Sequence, residues 1–248
     1  MLLKDHIILI TGAGRGIGAA IALTFAREGA MTLLLGRDNR QLEKTYDMIL
    51  AENGRASIVP LDLEKELHRV PELVKNIYER FGKLDVLVNN AGYLGTLTPL
   101  DAYAPEEWEK VMRINVTAPF YLTRELMPLL RKSAAGSVIN LSSSVGEHGR
   151  AFWGAYAASK AALINLTETW AMELQRFSLR FNTVNPGATA THMRALAFPG
   201  ENPNTLSQPN EITPVFLYLA SHLSLGVTGS HFQAQEWIGW RPGQPIPL

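Results

Sequence analysis

The sequence predicts an α/β protein built on one doubly wound parallel sheet of about seven strands, with helices on both faces. Short apolar runs alternate along the chain with amphipathic stretches of helical period. The apolar runs are continuous in Ile, Leu and Val, as expected for strands buried on both faces. A glycine-rich turn follows the first run and begins the first helical stretch. Right-handed crossovers between such elements build a sheet of the Rossmann type.

The predicted elements alternate regularly, and this order predicts a parallel sheet covered on both faces. Strands are predicted at 6–11, 31–36, 56–61, 84–90, 136–142, 179–185 and, more weakly, 227–235. Helices are predicted at 17–29, 39–52, 66–81, 105–131, 155–177 and 211–222.

No linker divides the chain, so we predict a single domain over residues 1–248. The segment 199–210 is rich in Gly, Pro and Asn, and it is either a mobile loop beside a site or a surface excursion. We take 187–210 as the candidate substrate loop. The tail, 235–248, contains two tryptophans and three prolines without a regular pattern. We expect the two tryptophans to cover either a pocket or a subunit interface.

Composition excludes several classes of site and partner. Lys+Arg and Asp+Glu both total 23, a balance that does not suggest a nucleic-acid partner. The absence of cysteine excludes disulfides, thiolate catalysis and cysteine-based zinc sites. The six histidines are scattered, so no metal site is predicted. There is no signal-peptide pattern and no run approaching the roughly 18 apolar residues of a membrane span. We therefore expect a cytoplasmic protein without a membrane partner.

The stretch TGAGRGIG, residues 11–18, lies between the first strand and the first helix. Such a junction directs backbone N–H groups and the positive end of a helix toward a phosphate. Gly12 permits the tight turn, Gly16 allows a ligand to approach the backbone, and Gly18 allows close packing of helix on strand. The alternative is a turn that is rich in glycine for steric reasons only.

Tyr156 and Lys160 are spaced i, i+4 and therefore share one face of a predicted helix. A free tyrosine has a pKa of about 10. A neighbouring ammonium favours the phenolate and lowers that pKa, which makes the phenol usable as an acid or base. The alanines between the two residues leave room for a flat ligand. Alone, such a pair is common on ordinary helices, and a structural role is then the better interpretation.

Two further polar features lie in apolar surroundings. Asn115 interrupts an apolar helical pattern, and by itself it is best interpreted as a core asparagine that bonds the backbone. Three serines, residues 142–144, end the fifth predicted strand, at the edge of the sheet where ligands bind. By themselves they are typical of a turn.

Taken in order, these motifs resemble the short-chain dehydrogenase/reductase family. TGxxxGxG, NNAG at 89–92, Asn115, a serine thirteen residues before the tyrosine, and YxxxK all occur in the family's sequence order. The similarity covers residues 6 to about 234. Within the family, LLGR and GRAFWGAYAASK are most similar to the YciK-like oxidoreductases.

The resemblance implies a role for each matching residue. Tyr156 is the proton donor or acceptor, and Lys160 tunes it and binds the cofactor ribose. Ser143 hydrogen-bonds the substrate oxygen, and Asn115 holds a water in a proton relay. The implied catalytic set is Asn115, Ser143, Tyr156 and Lys160. The implied cofactor-binding set is Gly12, Arg15, Gly16, Ile17, Gly18, Arg37, Asp62, Leu63, Asn90, Ala91, Gly92, Tyr156, Lys160, Pro186, Gly187, Thr189 and Thr191.

Several of these assignments have alternatives. Asp62 resembles the family's adenine-side aspartate, but it is also typical of a helix start. Asn90 is the expected cofactor contact of its segment, although a structural role competes with it. The segment 185–191 resembles the one that meets the nicotinamide carboxamide, and the alternative is a plain loop.

The cofactor is predicted from the residue after the second strand. Dinucleotide folds that prefer NAD place Asp or Glu there, to accept hydrogen bonds from the ribose. Here it is Arg37, which can pair with a 2′-phosphate, and Arg15 can form the other side of that site. Asp38, with Gln41 three residues on, is interpreted as a helix N-cap. We therefore predict NADP, with NAD as the alternative.

The sequence thus predicts an NADP-dependent oxidoreductase that interconverts a carbonyl and an alcohol. The alternatives are an NAD-dependent dehydrogenase of the same fold and a non-catalytic NADP-binding sensor or scaffold. The implied partners are a small carbonyl or alcohol substrate and further copies of the chain, as a dimer or tetramer. Many relatives end in a VDGG-like segment where this chain has TGSHFQAQEWIGW, which leaves the tetramer open.

The substrate itself is not predicted. The residues expected to flank the pocket are either selective for an apolar carbonyl compound or simply packed, and Arg150 either meets an anionic group or is a solvated surface arginine. They are His148, Arg150, Phe152, Trp153, Met193 and Phe198.

Overall fold

The apolar runs form one seven-stranded sheet in the computed structural model, which describes residues 1–247. All neighbouring strands are parallel, in the order β3-β2-β1-β4-β5-β6-β7, and this confirms the doubly wound sheet. Ile10 of β1, an inner strand, pairs with Leu34 on one side and Val88 on the other. The strands are β1 (Ile7–Thr11), β2 (Met31–Gly36), β3 (Arg55–Pro60), β4 (Val86–Asn89), β5 (Ser137–Leu141), β6 (Arg180–Asn185) and β7 (His231–Gln233).

Helices connect the strands and cover both faces of the sheet. The second helix begins with an N-cap, as predicted. The Asp38 carboxylate accepts the Gln41 N–H at 3.2 Å. The helices are α1 (Gly16–Arg27), α2 (Asn39–Ala51), α3 (Val70–Phe81), α4 (Pro105–Met112), α5 (Ala118–Leu130), α6 (Ser144–Glu147), α7 (Gly154–Glu173), α8 (His192–Ala197) and α9 (Pro214–Ala220).

Each face of the sheet contributes to its own core, because successive strand residues point to opposite sides. Ile8 and Ile10 of β1 pack with residues of α1, α2 and α9. Leu9, which lies between them, packs on the other side with residues of α3, α5 and α7. Nearly all of the β1, β4 and β5 strand surface is thereby removed from water, leaving their carboxyl ends as the accessible edge.

The predicted helix 105–131 is not continuous. It divides into α4, a π-helical segment Arg113–Thr117, and α5. Pro119 explains the break, because it has no N–H to donate to the carbonyl four residues earlier, and its ring crowds that carbonyl. That carbonyl belongs to Asn115, which therefore lies in the wider π turn. Such π segments are frequent at functional sites.

The segment 187–210 is more ordered than a loop. It contains α8 and a 3-10 turn, Pro203–Thr205, and a bridge between Thr189 and Ser207 closes it on itself. The bidentate ion pair between Arg194 and Glu201, with both N–O distances at 2.6 Å, ties the end of α8 to the following turn.

The tail does not follow the expectation that its tryptophans cover a pocket or an interface. Trp237 and Trp240 are buried in the core of their own chain. The Trp237 ring lies 4.8 Å from that of Tyr218 and 6.0 Å from that of Phe232. The aromatic tail thus packs against α9 and β7, because a large apolar area was available on that face. Within residues 1–247, no helix is both long and apolar enough to cross a membrane.

Candidate active site

The carboxyl ends of β1, β4, β5 and β6 bring the predicted catalytic and cofactor-binding segments to one edge of the sheet. Parallel strands place all their carboxyl ends at the same edge, and helices that follow them begin there. The glycine turn follows β1, NNAG ends β4, the serines follow β5, and the segment 185–191 follows β6. The positions of these segments, each directly after a parallel strand, therefore bring them together at one edge.

The glycine turn has the backbone that its residues require. Gly12 and Gly16 have φ values of +66° and +56°, which favour glycine. A Cβ at Gly18 would lie only 2.3 Å from the Gly12 oxygen, so the start of α1 packs directly on the turn. Asn90 donates its side-chain amide to the Thr11 and Gly12 oxygens, at 2.7 and 3.2 Å. Asn90 thus has the structural role that the sequence left as the alternative to a cofactor contact.

α1 begins directly after this turn, and the first N–H groups of a helix have no acceptor within the helix. Arg15 occupies the N-cap with an extended backbone, and its side chain makes no cap hydrogen bond and is exposed. Ile17, in the first turn of α1, is partly buried. Gly14 is a position that the sequence analysis missed: a Cβ there would lie 2.9 Å from the Gln41 Cβ, so this glycine lets α2 approach the turn.

Arg37 lies at the end of β2, close to a carboxylate. Its guanidinium is exposed and is 3.9 Å from the Glu64 carboxylate, which is also 3.3 Å from the Lys110 ammonium. Asp62 accepts the Glu64 N–H at 2.9 Å and donates its own N–H to Glu66 at 2.8 Å. These bonds are those of a turn-forming carboxylate, the alternative considered for Asp62. Leu63, the next residue, is buried.

The NNAG segment joins the sheet to the glycine turn. Asn89 donates to the Asn140 side chain at 2.8 Å, and this bond ties β4 to β5. Ala91 donates its N–H to the Thr11 hydroxyl at 2.9 Å, so Thr11 is a further anchor that sequence reasoning missed. Gly92 lies at the centre of the site: a Cβ there would contact Asn115, Lys160 and Met193 at 3.7–3.8 Å.

Asn115 is fully buried, and its carboxamide is completely engaged. Its oxygen accepts the Tyr93 N–H at 2.8 Å, and its nitrogen donates to the Tyr93 carbonyl and the Ser159 hydroxyl, both at 2.9 Å. Ser159 in turn donates to the Tyr156 carbonyl at 2.7 Å. Asn115 is therefore linked to the main chain of Tyr156 through Ser159, a residue within YAASK that the sequence analysis did not single out.

Tyr156, Lys160 and Ser143 meet as predicted. Lys160 is only 3% exposed, donates to the Leu141 carbonyl at 2.7 Å, and lies 5.5 Å from the centre of the Tyr156 ring. Ser143 is the N-cap residue of α6, and its side chain lies close enough to the Tyr156 phenol to lower the pKa of that group. Gly146 permits this arrangement, because a Cβ there would lie 2.8 Å from the Lys160 backbone.

The pKa of the phenol does not move in the direction expected from the i, i+4 spacing. Burial raises the pKa of Tyr156 to about 12, and the neighbouring Ser143 side chain opposes this rise only in part. Burial also lowers the pKa of Lys160 to about 8. The expected lowering of the Tyr156 pKa is thus wrong for this structure, because both groups lose hydration and each shifts toward its uncharged form.

The segment after β6 is fixed by the C-terminal part of the chain. Gly187 has a φ of +67°, and the Thr189 hydroxyl donates to the Pro186 carbonyl at 3.1 Å. Gln235 donates to the same carbonyl at 2.8 Å. Thr191 caps α8, and its methyl lies about van der Waals distance from a Cβ placed on Gly16, at 3.6 Å.

An aromatic wall borders the phenol. The Trp153 ring lies 5.9 Å from the Tyr156 ring and 5.7 Å from the Phe198 ring. Phe198 belongs to the segment 187–210, so this candidate loop contacts the surroundings of the tyrosine directly. The Arg150 guanidinium lies over both Trp153 and Phe198, at 5.6 and 5.1 Å.

Two clefts in the described residues lie away from this site. A cavity of about 180 Å³ lies between β3 and α3, and a second of about 500 Å³ lies beside α4. None of the predicted site residues lines either one. Residues 1–247 also contain no cluster of three or more His, Asp or Glu side chains suited to a metal ion.

Comparison with known proteins agrees with this geometry. The family model described as short chain dehydrogenase matches residues 6–202. The chain is 45% identical to the uncharacterized oxidoreductase YciK of Escherichia coli K12, over 98% of this chain and 96% of YciK. It is 34% identical to the 3-oxoacyl-[acyl-carrier-protein] reductase FabG of Thermotoga maritima, over 92% of this chain and 96% of that protein.

Solved structures give the same result. A short chain dehydrogenase from Shigella flexneri 2a, complexed with NADP, is 45% identical and superposes with a TM-score of 0.92. The match covers 94% of this chain and 98% of that protein.

Proposed function

The chain belongs to the short-chain dehydrogenase family, and we propose that it interconverts a carbonyl and an alcohol with NADP(H) as cofactor. The observation that carries the proposal is the convergence of Ser143, Tyr156 and Lys160 at the sheet edge where the glycine turn also lies. A sensor or scaffold that only binds the cofactor has no need of this set. The Thermotoga relative is by name a reductase of a 3-oxoacyl group, which is consistent with carbonyl chemistry.

The glycine turn fits the pyrophosphate of a dinucleotide. Gly12 and Gly16 are left-handed, and the α1 N-terminus directs its N–H groups and positive dipole end at the space above the turn. The Shigella relative was solved with NADP, which supports the same cofactor here. Arg37 and Arg15, both exposed, are the residues that we assign to the 2′-phosphate. When bound, the nicotinamide supplies or accepts the hydride.

Tyr156 carries the proton transfer. With a pKa of about 12, the phenol is protonated at neutral pH, and it can donate its proton to a substrate oxygen in the reduction direction. The Ser143 side chain lies beside the phenol, so we assign its hydroxyl to bond the same substrate oxygen and to stabilise negative charge that develops there. A protonated Lys160, whose pKa is about 8, favours the phenolate that remains.

Asn115 is assigned to support of the proton relay. Both of its amide hydrogens are used by Tyr93 and Ser159, so its side chain acts by holding the backbone around Tyr156. The segment 187–210 is assigned as the substrate loop of a single domain, because it supplies Phe198 to the wall beside the phenol.

Replacement of the phenol tests the proposal. In Tyr156→Phe, turnover should fall by about 10²–10⁴-fold, because the proton donor is lost, while NADPH binding is retained. Tyr78→Phe is the matched control, since Tyr78 is an exposed tyrosine on α3, away from the site. Full activity in Tyr156→Phe would contradict the role of Tyr156 as proton donor. NADPH binding by wild type without turnover of any carbonyl compound would favour the sensor or scaffold.

The cofactor assignment has its own test. NADPH and NADH affinities are compared in wild type and in Arg37→Asp, which converts the phosphate-binding cation into the carboxylate typical of NAD enzymes. Wild type should prefer NADPH, and the variant should lose that preference. A wild type that prefers NADH makes the chain an NAD-dependent dehydrogenase and the assignment of Arg37 wrong. A turnover screen of ketones, aldehydes and quinones with NADPH then defines the substrate class.

A further inference from the structure

Arg150 is a cation without a carboxylate partner at the outer end of the aromatic wall. Its guanidinium lies over the Trp153 and Phe198 rings, and no Asp or Glu within residues 1–247 forms an ion pair with it. The Trp153 ring that it covers is itself in contact with the Tyr156 ring, at 5.9 Å between centres. The guanidinium is therefore two ring contacts away from the proton donor.

The other arginine on the same wall is different. The Arg194 guanidinium also lies over Phe198, at 3.8 Å, but it is neutralised by the bidentate pair with Glu201. Two guanidinium groups thus lie against the Phe198 ring, and only that of Arg194 is paired with a carboxylate. The uncancelled charge is the one that also lies over Trp153, on the side of the phenol.

The backbone that carries Arg150 is held in place. Phe152 has a φ of +72°, a conformation that a bulky residue adopts only where its surroundings impose it. Its carbonyl accepts the Thr98 N–H at 3.2 Å, and the Trp153 N–H donates to the Arg150 carbonyl at 3.1 Å, which closes a turn. This turn holds the Trp153 ring against the phenol and places the Arg150 guanidinium over the Trp153 ring. Local strain of this kind is concentrated at functional sites.

We propose that Arg150 binds an anionic oxygen group of the substrate, a carboxylate or a phosphate, at the end of an apolar body. That body lies along Trp153 and Phe198, and the carbonyl at its other end reaches the Tyr156 phenol. A planar guanidinium pairs with such oxyanions through two parallel N–H bonds, and aromatic rings beside it favour an apolar or aryl body. This inference names the substrate class of the proposed oxidoreductase and rests on that function.

Matched ligands test it. 4-Acetylbenzoate, 4-acetylphenyl phosphate and methyl 4-acetylbenzoate share an aryl ketone and differ in the charge at the far end. Binding of each to the NADP⁺-loaded protein, in which the cofactor has no hydride to give to the ketone, is measured by calorimetry, and turnover with NADPH is measured separately. The variant is Arg150→Met, which keeps an unbranched apolar chain on the rings. The control is Arg131→Met, since Arg131 is an exposed arginine that lies over Phe177, outside the site.

Wild type and Arg131→Met should bind at least one of the two anions about fivefold more tightly than the ester, the gain expected for an ion pair with an exposed guanidinium. Arg150→Met should lose this preference while its affinity for the ester stays unchanged. Equal or absent binding of the anions by wild type, or a preference that survives in Arg150→Met, overturns the inference. Because binding is measured without turnover, a preference for the anions that is lost in Arg150→Met supports the anion site whether or not these ketones are reduced, and the oxidoreductase function fails separately if wild type reduces no carbonyl compound in the turnover screen.

Discussion

The buried ammonium of Lys160 should make the protein's stability depend on pH in a way that one substitution removes. Lys160 is 3% exposed, and its charge has one hydrogen-bond acceptor, the Leu141 carbonyl at 2.7 Å. Burial lowers its pKa from 10.5 to about 8. Between these two pH values the unfolded chain binds more protons than the folded chain at this site, so stability rises with pH. Lys160→Met removes the titrating group.

The magnitude follows from the two pKa values. At about 1.36 kcal/mol for each pKa step, the protonated lysine disfavours folding by roughly 3 kcal/mol at pH 7. Integration of the proton difference shows that about 2 kcal/mol of this is recovered by pH 9.5. The free energy of unfolding of wild type relative to Lys160→Met should therefore increase by about 2 kcal/mol between pH 7 and pH 9.5. Lys160→Met also loses the hydrogen bond to the Leu141 carbonyl. This loss affects the free energy of unfolding equally at both pH values, so it cancels in the comparison.

The assay is urea unfolding of both proteins at the two pH values, followed by tryptophan fluorescence and by circular dichroism to test two-state behaviour. Lys75→Met is the control, because Lys75 is exposed and its variant should follow wild type at both pH values. A difference between wild type and Lys160→Met that changes by less than about 0.5 kcal/mol refutes the reasoning. It would mean that the ammonium is hydrated in the folded protein.

Three further predictions concern the turn, the tail and the cofactor. Gly18→Ala places a Cβ 2.3 Å from a backbone oxygen and should lower the free energy of unfolding by about 2 kcal/mol or more in urea titrations, whereas Gly200→Ala, with open space around it, should not. Trp237→Ala should lower it by about 3–5 kcal/mol, and a loss under 1 kcal/mol would show that the tail is dispensable. Glu64→Gln should strengthen NADPH binding about two- to fivefold in calorimetry by releasing Arg37, and unchanged affinity would contradict that competition.

The sheet was predictable because its signal is local and repeated. The first, second and fourth strands are continuous apolar runs, and helices with an apolar stripe alternate with the strands, so a parallel, doubly wound sheet follows from general rules of connection. The break between α4 and α5 was not predicted, since apolar periodicity continues across it. Pro119 is the residue that indicates the break. Inside a continuous helix, a proline has no N–H to donate to the carbonyl four residues earlier, which here is that of Asn115.

The site residues were predictable from their order along the chain, and their partners were not. Ser159 joins Asn115 to the Tyr156 backbone, yet as one serine in an alanine-rich helix it has no distinguishing pattern. Gln235 fixes the Pro186 carbonyl from almost fifty residues away, at 2.8 Å. Contacts of this kind depend on tertiary packing, which spacing in a single sequence does not encode.

The direction in which the Tyr156 pKa shifts also depends on tertiary packing, because packing determines burial. The i, i+4 spacing correctly predicts that an ammonium lies near the phenol, and the structure puts it 5.5 Å from the ring centre. Spacing says nothing of hydration, and the loss of water acts on both groups. It raises the pKa of the phenol to about 12 and lowers that of the lysine to about 8, so the burial that keeps Tyr156 protonated also weakens the cation that would ionise it. At neutral pH this pair favours a phenol that donates its proton, and the support from Lys160 is lost as the pH rises through about 8.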